Sequence, residues 1–201
     1  GTVGKPLPGV QVEIVDARHQ PLPPGSTGLI RIRSPGLVDG YRGDDEATRR
    51  SFSDGWFTPG DLGRLTPEGD LIYCGRADHM MIMNGMNIYP AEIERVVGGH
   101  PAVRDAAAMP VHHPIHQDVP ICAVALHPGA QSTESELLAW AREQLGAQGP
   151  HRLFIVDEIP RNHEGKLVRP NLAEILDRRL ADSQTSPLPE DGRASAARGS
   201  P

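Results

Sequence analysis

The stretch GRADHMMIMNGMNIYPAEIE, residues 75–94, marks the point at which the pattern of the chain changes. Its apolar residues lie on both sides of Asn84-Gly85, a dipeptide that favours a tight turn between two antiparallel strands. Pro90 suits the first turn of a helix, and the helix dipole favours the acidic residues that follow it. The stretch therefore predicts two short strands, a turn and a helix.

Residues upstream of this stretch predict β-structure. Residues 10–16 and 27–34 alternate apolar and polar side chains, which is the period of a half-buried strand. Residues 44–52 predict one short helix, and the Gly- and Pro-punctuated segment 55–76 predicts two further strands. We therefore expect residues 1–75 to form a small β-barrel-like subdomain.

Strands and helices alternate downstream. Strands are predicted at residues 103–111, 119–127 and 152–159. Thr133 and Glu136 form a capping box that predicts a helix start, and Pro170 predicts the start of the last helix. This alternation predicts a compact α/β domain over residues 81–180 and an α+β fold for the chain as a whole.

Two boundaries follow from these patterns. Residues 76–80 separate the two blocks and are the expected hinge between them. Residues 181–201 consist mostly of Ser, Pro, Ala, Gly and charged residues. Such a segment buries too little apolar surface to offset its ordering entropy, so we expect a disordered tail.

Composition narrows the classes of partner. The 201 residues carry a formal net charge of −6, which disfavours nucleic acid and anionic membranes as partners. The sequence contains no apolar run of the roughly 18 residues that a membrane span needs, so we expect a cytoplasmic protein. Cys74 and Cys122 are the two cysteines, and both are expected to be buried small hydrophobes. The sequence does not begin with Met, which favours a fragment.

Three short motifs contain charged residues that folding alone does not require. GWFTPGDLG holds Asp61 between glycines, where a carboxylate can accept two hydrogen bonds from a sugar diol, although Asp is also common in ordinary turns. Arg76 and Asp78 lie where the two blocks meet, and such a pair is often a surface ion pair. PRNHEGKLVRP places Lys166 after a glycine in a loop, where lysines are usually solvated.

Together and in this order, the motifs resemble the end of the adenylate-forming (AMP-binding) superfamily of acyl-CoA synthetases, luciferases and peptide-synthetase adenylation domains. The matching segments are SPGLVDGYRGDDEAT, GWFTPGDLG, the 75–94 stretch and PRNHEGKLVR, and the resemblance covers residues 1 to about 180. The form of the segment NIYPAEIE resembles that of acyl- and aryl-CoA ligases in particular.

The resemblance implies a two-step ligase reaction. Such enzymes activate a carboxylic acid with ATP, release pyrophosphate, and pass the acyl group from AMP to the thiol of CoA. By motif position, Asp61 would bind the ribose hydroxyls of ATP or AMP, and Arg76 would bind ribose or phosphate nearby. Lys166 would be the catalytic residue, contacting carboxylate and phosphate oxygens. Asp78 would be the hinge about which a mobile C-terminal domain turns between the two steps.

The resemblance also implies that Gly85 lines the tunnel for the pantetheine arm of CoA. The alternative is that Gly85 serves only the Asn-Gly turn, and both roles are compatible. The methionines of this stretch are expected to be flexible core filler, with a tunnel wall as the alternative; they are Met80, Met81, Met83 and Met86.

Parts of the family pattern have no counterpart in this sequence. The phosphate loop, the adenine-holding segment and the acyl pocket would lie upstream, so we expect the chain to be incomplete on its own and to need an N-terminal AMP-binding domain in the same or another chain. Mg²⁺ is expected in the complete enzyme, with ligands outside this chain. Glu164 stands near Lys166 where the family usually has Thr or Ser, and could hold the lysine.

Two other interpretations are weighed against these. The chain could be a non-catalytic module that docks on a partner ligase or a carrier protein. The histidines His112, His113 and His116 suggest a metal site, but their Pro-rich loop lacks the two-sided ligand spacing of zinc, and we expect no metal. Neither the acid nor the choice between CoA and a carrier-protein thiol can be inferred from these residues.

Overall fold

The structure is a computed structural model that describes residues 2–182. The chain divides into two compact units, Gly1–Glu158 and Ile159–Pro201. No helix within residues 2–182 combines the length and the hydropathy needed to cross a membrane. Of the predicted disordered tail, residues 183–201 lie outside the described part, and residues 181 and 182 belong to the last helix.

The described residues form eleven strands and four α-helices. In chain order these are β1 (Gln11–Val15), β2 (Gly28–Arg33), α1 (Asp45–Ser51), β3 (Phe52–Ser53), β4 (Trp56–Phe57), β5 (Asp61–Leu65), β6 (Leu71–Arg76), β7 (Met81–Met83), β8 (Met86–Ile88), α2 (Pro90–Gly98), β9 (Val103–His113), β10 (Gln117–Leu126), α3 (Glu134–Leu145), β11 (Arg152–Ile155) and α4 (Arg169–Asp182). A 3-10 turn, Ala77–His79, joins β6 to β7.

The first sheet contains β1 to β6 and is antiparallel throughout. Its order is β3-β4-β2-β5-β6, with β1 on the other edge of β2. The sheet is not closed into a barrel, so the barrel-like form expected for residues 1–75 is wrong in that respect. Closure needs the two end strands to pair in a staggered ladder. Here the end strand β3 spans two residues and pairs with β4 alone.

The second sheet has the order β11-β10-β7-β8, with β9 on the other edge of β10. The β10–β11 pair is parallel, and the other pairs of this sheet are antiparallel. The two sheets and the four helices confirm an α+β fold. Met81 and Met83 of β7 are almost fully buried in the core, as expected for methionines that fill core space.

Several local predictions are confirmed. Pro90 occupies the first turn of α2. Thr133 caps α3, its side chain accepting a hydrogen bond from the Glu136 backbone N–H while the Glu136 carboxylate accepts one from the Thr133 N–H. The third predicted strand is shorter than expected, since β11 ends at Ile155. Asn84 and Gly85 have φ angles of +50° and +78°, the left-handed conformation that a tight two-residue hairpin turn requires.

Candidate functional site

Asp61 and Arg76 lie directly opposite each other at one end of the first sheet. Asp61 is the first residue of β5 and Arg76 is the last residue of β6, and the two are register partners. The pairing continues past the strand end, where the Ala77 N–H donates to the Gly60 carbonyl at 2.9 Å. Backbone hydrogen bonds thus bring together two residues that are 15 positions apart in the sequence, and a side-chain contact adds to the pairing.

The Arg76 guanidinium connects three neighbouring groups. Its Nη1 donates to the Pro59 carbonyl at 2.9 Å and to Asp61 Oδ1 at 3.5 Å. Its Nε and Nη2 donate to the two carboxylate oxygens of Asp78 at 3.3 and 3.4 Å. Arg76 therefore holds the 3-10 turn that carries Asp78 against the Gly60–Asp61 corner.

The Arg76–Asp78 pair stays ionised near neutral pH. The hydrogen bond from Arg76 lowers the pKa of the Asp78 carboxyl, and the same bond raises the pKa of Arg76. The two side chains are 42% and 63% exposed, so water screens the pair and its contribution to stability is small. Both charges remain accessible to a ligand or to a rearrangement of the turn.

Arg76 and Asp78 line a cleft of about 680 Å³. The lining combines a basic residue, Arg50, with the hydroxyl-bearing residues Tyr41 and Thr58 and with apolar surface. The Tyr41 ring packs edge-to-face on Phe52, with ring centroids 5.5 Å apart. Such a mixture suits a ligand that has a sugar or planar portion and a negative charge.

Some lining residues were not singled out from the sequence. Tyr41 lies in one of the matching segments and Arg50 in the predicted helix, so both precede β4 and β5, and neither lies in the strand that carries Asp61. No period of 2 or 3.6 connects them to Asp61, because the tertiary pairing of β2 with β4 and β5 assembles this face.

Asp61 retains hydrogen-bonding capacity. Its side chain is 29% exposed, and Oδ1 accepts one long hydrogen bond from Arg76. Within residues 2–182, no other hydrogen bond to this carboxylate is found. A carboxylate has about four acceptor positions, so most of them remain available.

Lys166 belongs to the second unit and is described there by itself. Its loop is closed by an isolated bridge between Arg161 and Leu167. The Asn162 side chain accepts hydrogen bonds from two backbone N–H groups of the loop, including that of Lys166 at 2.9 Å. The Lys166 side chain is 76% exposed, and its Nζ lies 2.8 Å from Glu164 Oε2. The contact of Glu164 with Lys166, which the sequence raised as a possibility, is therefore present.

Gly85 lies at the exposed turn between β7 and β8. A Cβ atom built on it would have no other atom within 4 Å. Of the sequence-predicted residues, the structure brings together Asp61, Arg76 and Asp78, whereas Gly85 is on a different hairpin. Its role in the turn is visible in its positive φ, and its role in a tunnel stays a prediction.

The histidines of the β9–β10 turn do not assemble a metal site. The rings of His113 and His116 stack with centroids 4.8 Å apart. Across residues 2–182, no group of three or more His, Cys, Asp or Glu side chains is arranged to hold a metal ion.

Comparison with known families agrees with the motifs. The profile described as AMP-binding enzyme C-terminal domain matches residues 92–166, and the profile described as AMP-binding enzyme matches residues 1–42. The chain belongs to the AMP-binding, or adenylate-forming, enzyme superfamily. Of this family it carries the C-terminal portion.

Individual relatives are similar over most of the chain. A 2-succinylbenzoate–CoA ligase from Geobacillus kaustophilus is 36% identical over 177 residues, which are 88% of this chain and 36% of that protein. The amide bond synthetase McbA from Marinactinospora thermotolerans has a TM-score of 0.82 at 34% identity, over 87% of this chain and 36% of that one. The o-succinylbenzoate CoA synthetase from Bacillus subtilis, solved with its acyl-adenylate intermediate, has a TM-score of 0.78 at 34% identity, over 86% and 35%.

The chain thus spans about a third of the length of these relatives. As their names state, these relatives are a 2-succinylbenzoate–CoA ligase, an amide bond synthetase and an o-succinylbenzoate CoA synthetase. Similarity over this portion establishes the family and the fold, and the activity of a whole enzyme is a matter for proposal.

Proposed function

We propose that this chain supplies the C-terminal part of an ATP-dependent acyl- or aryl-CoA ligase. The observation that carries the proposal is the Asp61–Arg76–Asp78 arrangement, of which Arg76 and Asp78 line the 680 Å³ cleft, in a chain of the AMP-binding family. In the reaction, a carboxylate oxygen of the acid attacks the α-phosphorus of ATP and pyrophosphate leaves. The CoA sulfur then attacks the acyl carbon, the thiol proton is lost, and AMP leaves.

Asp61 would bind the ribose. Two adjacent hydroxyls of a ribose donate well to one carboxylate, and the Asp61 carboxylate accepts only one long hydrogen bond within the described residues. Arg76 would hold Asp61 in place and present positive charge beside it. Its tie to the Pro59 carbonyl fixes the guanidinium at the cleft, so little reorganisation is needed when the nucleotide binds.

Lys166 would stabilise charge in the adenylation step. A lysine ammonium can approach both the attacking carboxylate and the α-phosphate oxygens as negative charge builds between them. The Asn162-centred loop fixes the backbone at Lys166, while the exposed side chain can leave Glu164 for a substrate. Exposed ion pairs are typically worth at most about 1 kcal/mol, so the pair with Glu164 is a small barrier to this.

Asp78 and Gly85 would serve the second step. Asp78 lies in the short 3-10 turn between the two sheets, where few residues absorb a change in backbone direction. Gly85 would let the pantetheine arm of CoA approach the β7–β8 hairpin, because it has no side chain. The domain boundary at residues 76–80, the need for Mg²⁺ and a cytoplasmic location remain part of the same proposal.

The test joins this chain to the N-terminal portion of the Geobacillus ligase, in place of the C-terminal part that it matches. The acid is then defined as 2-succinylbenzoate. The measurements are acid-dependent ATP–pyrophosphate exchange for the first step and CoA-thioester formation for the second. Lys5 and Lys166 are the two lysines of the sequence, so Lys5→Ala is a matched control for Lys166→Ala.

We expect both steps to proceed in the chimera. Lys166→Ala should lower pyrophosphate exchange by roughly 100-fold or more, as expected for loss of a charge-stabilising group. Asp61→Asn should weaken ATP binding, and Lys5→Ala should change neither. A folded chimera that binds ATP but catalyses neither step, with Lys166→Ala indistinguishable from the parent, would instead favour the docking-module alternative.

A further inference from the structure

The turn of the β7–β8 hairpin projects beyond the core. Asn84 and Gly85 are exposed, and the hairpin pairs with the rest of the second sheet through one register position, Met83 opposite Gln117. A two-stranded hairpin of three-residue strands is marginally stable by itself. Its tip therefore needs support from elsewhere if its position matters.

The β9–β10 turn and the start of β10 provide that support through side chains. Asp118 Oδ2 accepts a hydrogen bond from the Ile82 backbone N–H at 3.1 Å. His116 Nδ1 lies 3.0 Å from Asn84 Oδ1, and because an amide oxygen only accepts, the histidine nitrogen donates. One contact thus holds the middle of β7, and the other holds the turn residue directly before Gly85.

The supporting turn is itself held in place. The His113 Nδ1 atom accepts hydrogen bonds from the backbone N–H groups of Ile115 and His116, at 3.2 and 3.3 Å. Its ring also stacks on the His116 ring. Gln117 adopts a φ of +65°, which turns the chain back into β10. The imidazole that reaches Asn84 is therefore fixed at both its backbone and its ring face.

We propose that His116 and Asp118 are positioning residues that set the tip of the β7–β8 hairpin for the thiol-transfer step. This rests on the proposed function, in which Gly85 borders the path of the pantetheine arm. A tip that is held in advance loses less conformational entropy when the arm binds. In that proposed function the hairpin serves the thiol-transfer step, so loss of the contact affects the two steps unequally.

Protonation of His116 does not break the contact. Both the neutral ring that carries its proton on Nδ1 and the doubly protonated ring donate to Asn84 from that nitrogen. Replacement by asparagine also preserves a donor, because its amide nitrogen occupies nearly the place of Nδ1. His116→Asn is therefore the conservative variant, and His116→Ala is the disruptive one.

The experiment has one readout in the chain itself and one in the chimera described above. In the 201-residue chain, hydrogen exchange of the residue 84–86 amides is compared for wild type, His116→Ala and His116→Asn. In the chimera, the KM for CoA, kcat and pyrophosphate exchange are measured for the same variants. His112→Ala is the matched control, since His112 is an exposed histidine of the same hairpin.

For His116→Ala we expect faster exchange at residues 84–86 and a KM for CoA raised by roughly 3- to 10-fold, the ratio that one net hydrogen bond supplies. Pyrophosphate exchange should stay within about twofold of the parent. A hydrogen bond remote from the adenylate should change the free energy of the adenylation step by less than the net free energy of the bond itself. His116→Asn should restore most of the KM, and His112→Ala should match wild type. Asp118→Ala should act in the same direction as His116→Ala.

An unchanged KM for CoA in His116→Ala, or an equal fall in both steps, would overturn the inference. So would unchanged exchange at residues 84–86. If the parent chimera adenylates the acid but transfers it to no thiol, the proposed function fails in its second step, and the inference fails with it. A parent active in both steps with a silent His116→Ala variant would refute the inference alone.

Discussion

Replacing Gly85 by alanine tests the left-handed turn at the tip of the β7–β8 hairpin. Gly85 has a φ of +78°, and a Cβ added there would meet no atom within 4 Å. Any loss of stability must therefore come from backbone conformation and not from a clash. An L-residue in this region costs about 1–2 kcal/mol, and the reduced freedom of the unfolded chain offsets about 0.4–1 kcal/mol of that.

The expected net loss is about 1 kcal/mol, which lowers Tm by about 2–4 °C for a protein of this size. Gly98→Ala is the matched control, because Gly98 also has open space around it but does not have a positive φ and ends helix α2. Alanine there should stabilise the protein by about 0.5–1 kcal/mol. Thermal and urea unfolding followed by far-UV circular dichroism measure both.

The reasoning would be refuted if Gly85→Ala were as stable as Gly98→Ala. A second substitution separates the turn from the tunnel. Asparagine tolerates the left-handed region, so Gly85→Asn should keep most of the stability while placing a side chain at the tip. If Gly85 borders the CoA path, Gly85→Asn raises the KM for CoA in the chimera. A normal KM would assign Gly85 to the turn alone.

Three further predictions concern other parts of the chain. Because Arg76 lowers the pKa of Asp78, the ionised carboxylate stabilises the fold by a small amount above its unfolded pKa of about 3.9, and this contribution is lost as the pH falls through the lower folded pKa. Asp78→Asn should therefore flatten the acid limb of a Tm-versus-pH curve slightly, and an unchanged limb would contradict this. Burial raises the pKa of both thiols, so Cys74 and Cys122 should react with a thiol reagent only after the protein is denatured. Fast labelling of the native protein would be inconsistent with their burial. Thr133→Ala should lower the free energy of unfolding in urea by about 1 kcal/mol through loss of the α3 cap, whereas Thr133→Ser should retain most of the wild-type stability. Equal losses in the two variants would exclude the capping hydrogen bond as the cause.

The local elements were predictable because their signals are local. Asn84-Gly85, Pro90 and the Thr133 capping box each act within a few residues, and each appears where the sequence predicted it. The end of β11 at Ile155 was not predictable in the same way. Apolar residues continue beyond it, and the parallel ladder with β10 determines where the strand stops.

The candidate site was predictable in part. Asp61, Arg76 and Asp78 were identified by motif order, and the register of β5 with β6 brings them together. The cleft lining from Tyr41 and Arg50 was not identified, since these residues meet Arg76 and Asp78 only through the pairing of strands that are distant in sequence. The support of Asn84 by His116, 32 positions away, left no periodic signal either.

The sequence by itself determined the family, the turns, the helix starts and the identity of the residues with chemistry to perform. These depend on short-range backbone preferences and on ordered motifs, both of which can be read along the chain. Only the tertiary structure decided that the first sheet stays open, which side chains share the cleft, and which turn holds the Gly85 hairpin. Those outcomes depend on strand pairing between distant segments, where geometry and burial, rather than local preference, select the partner.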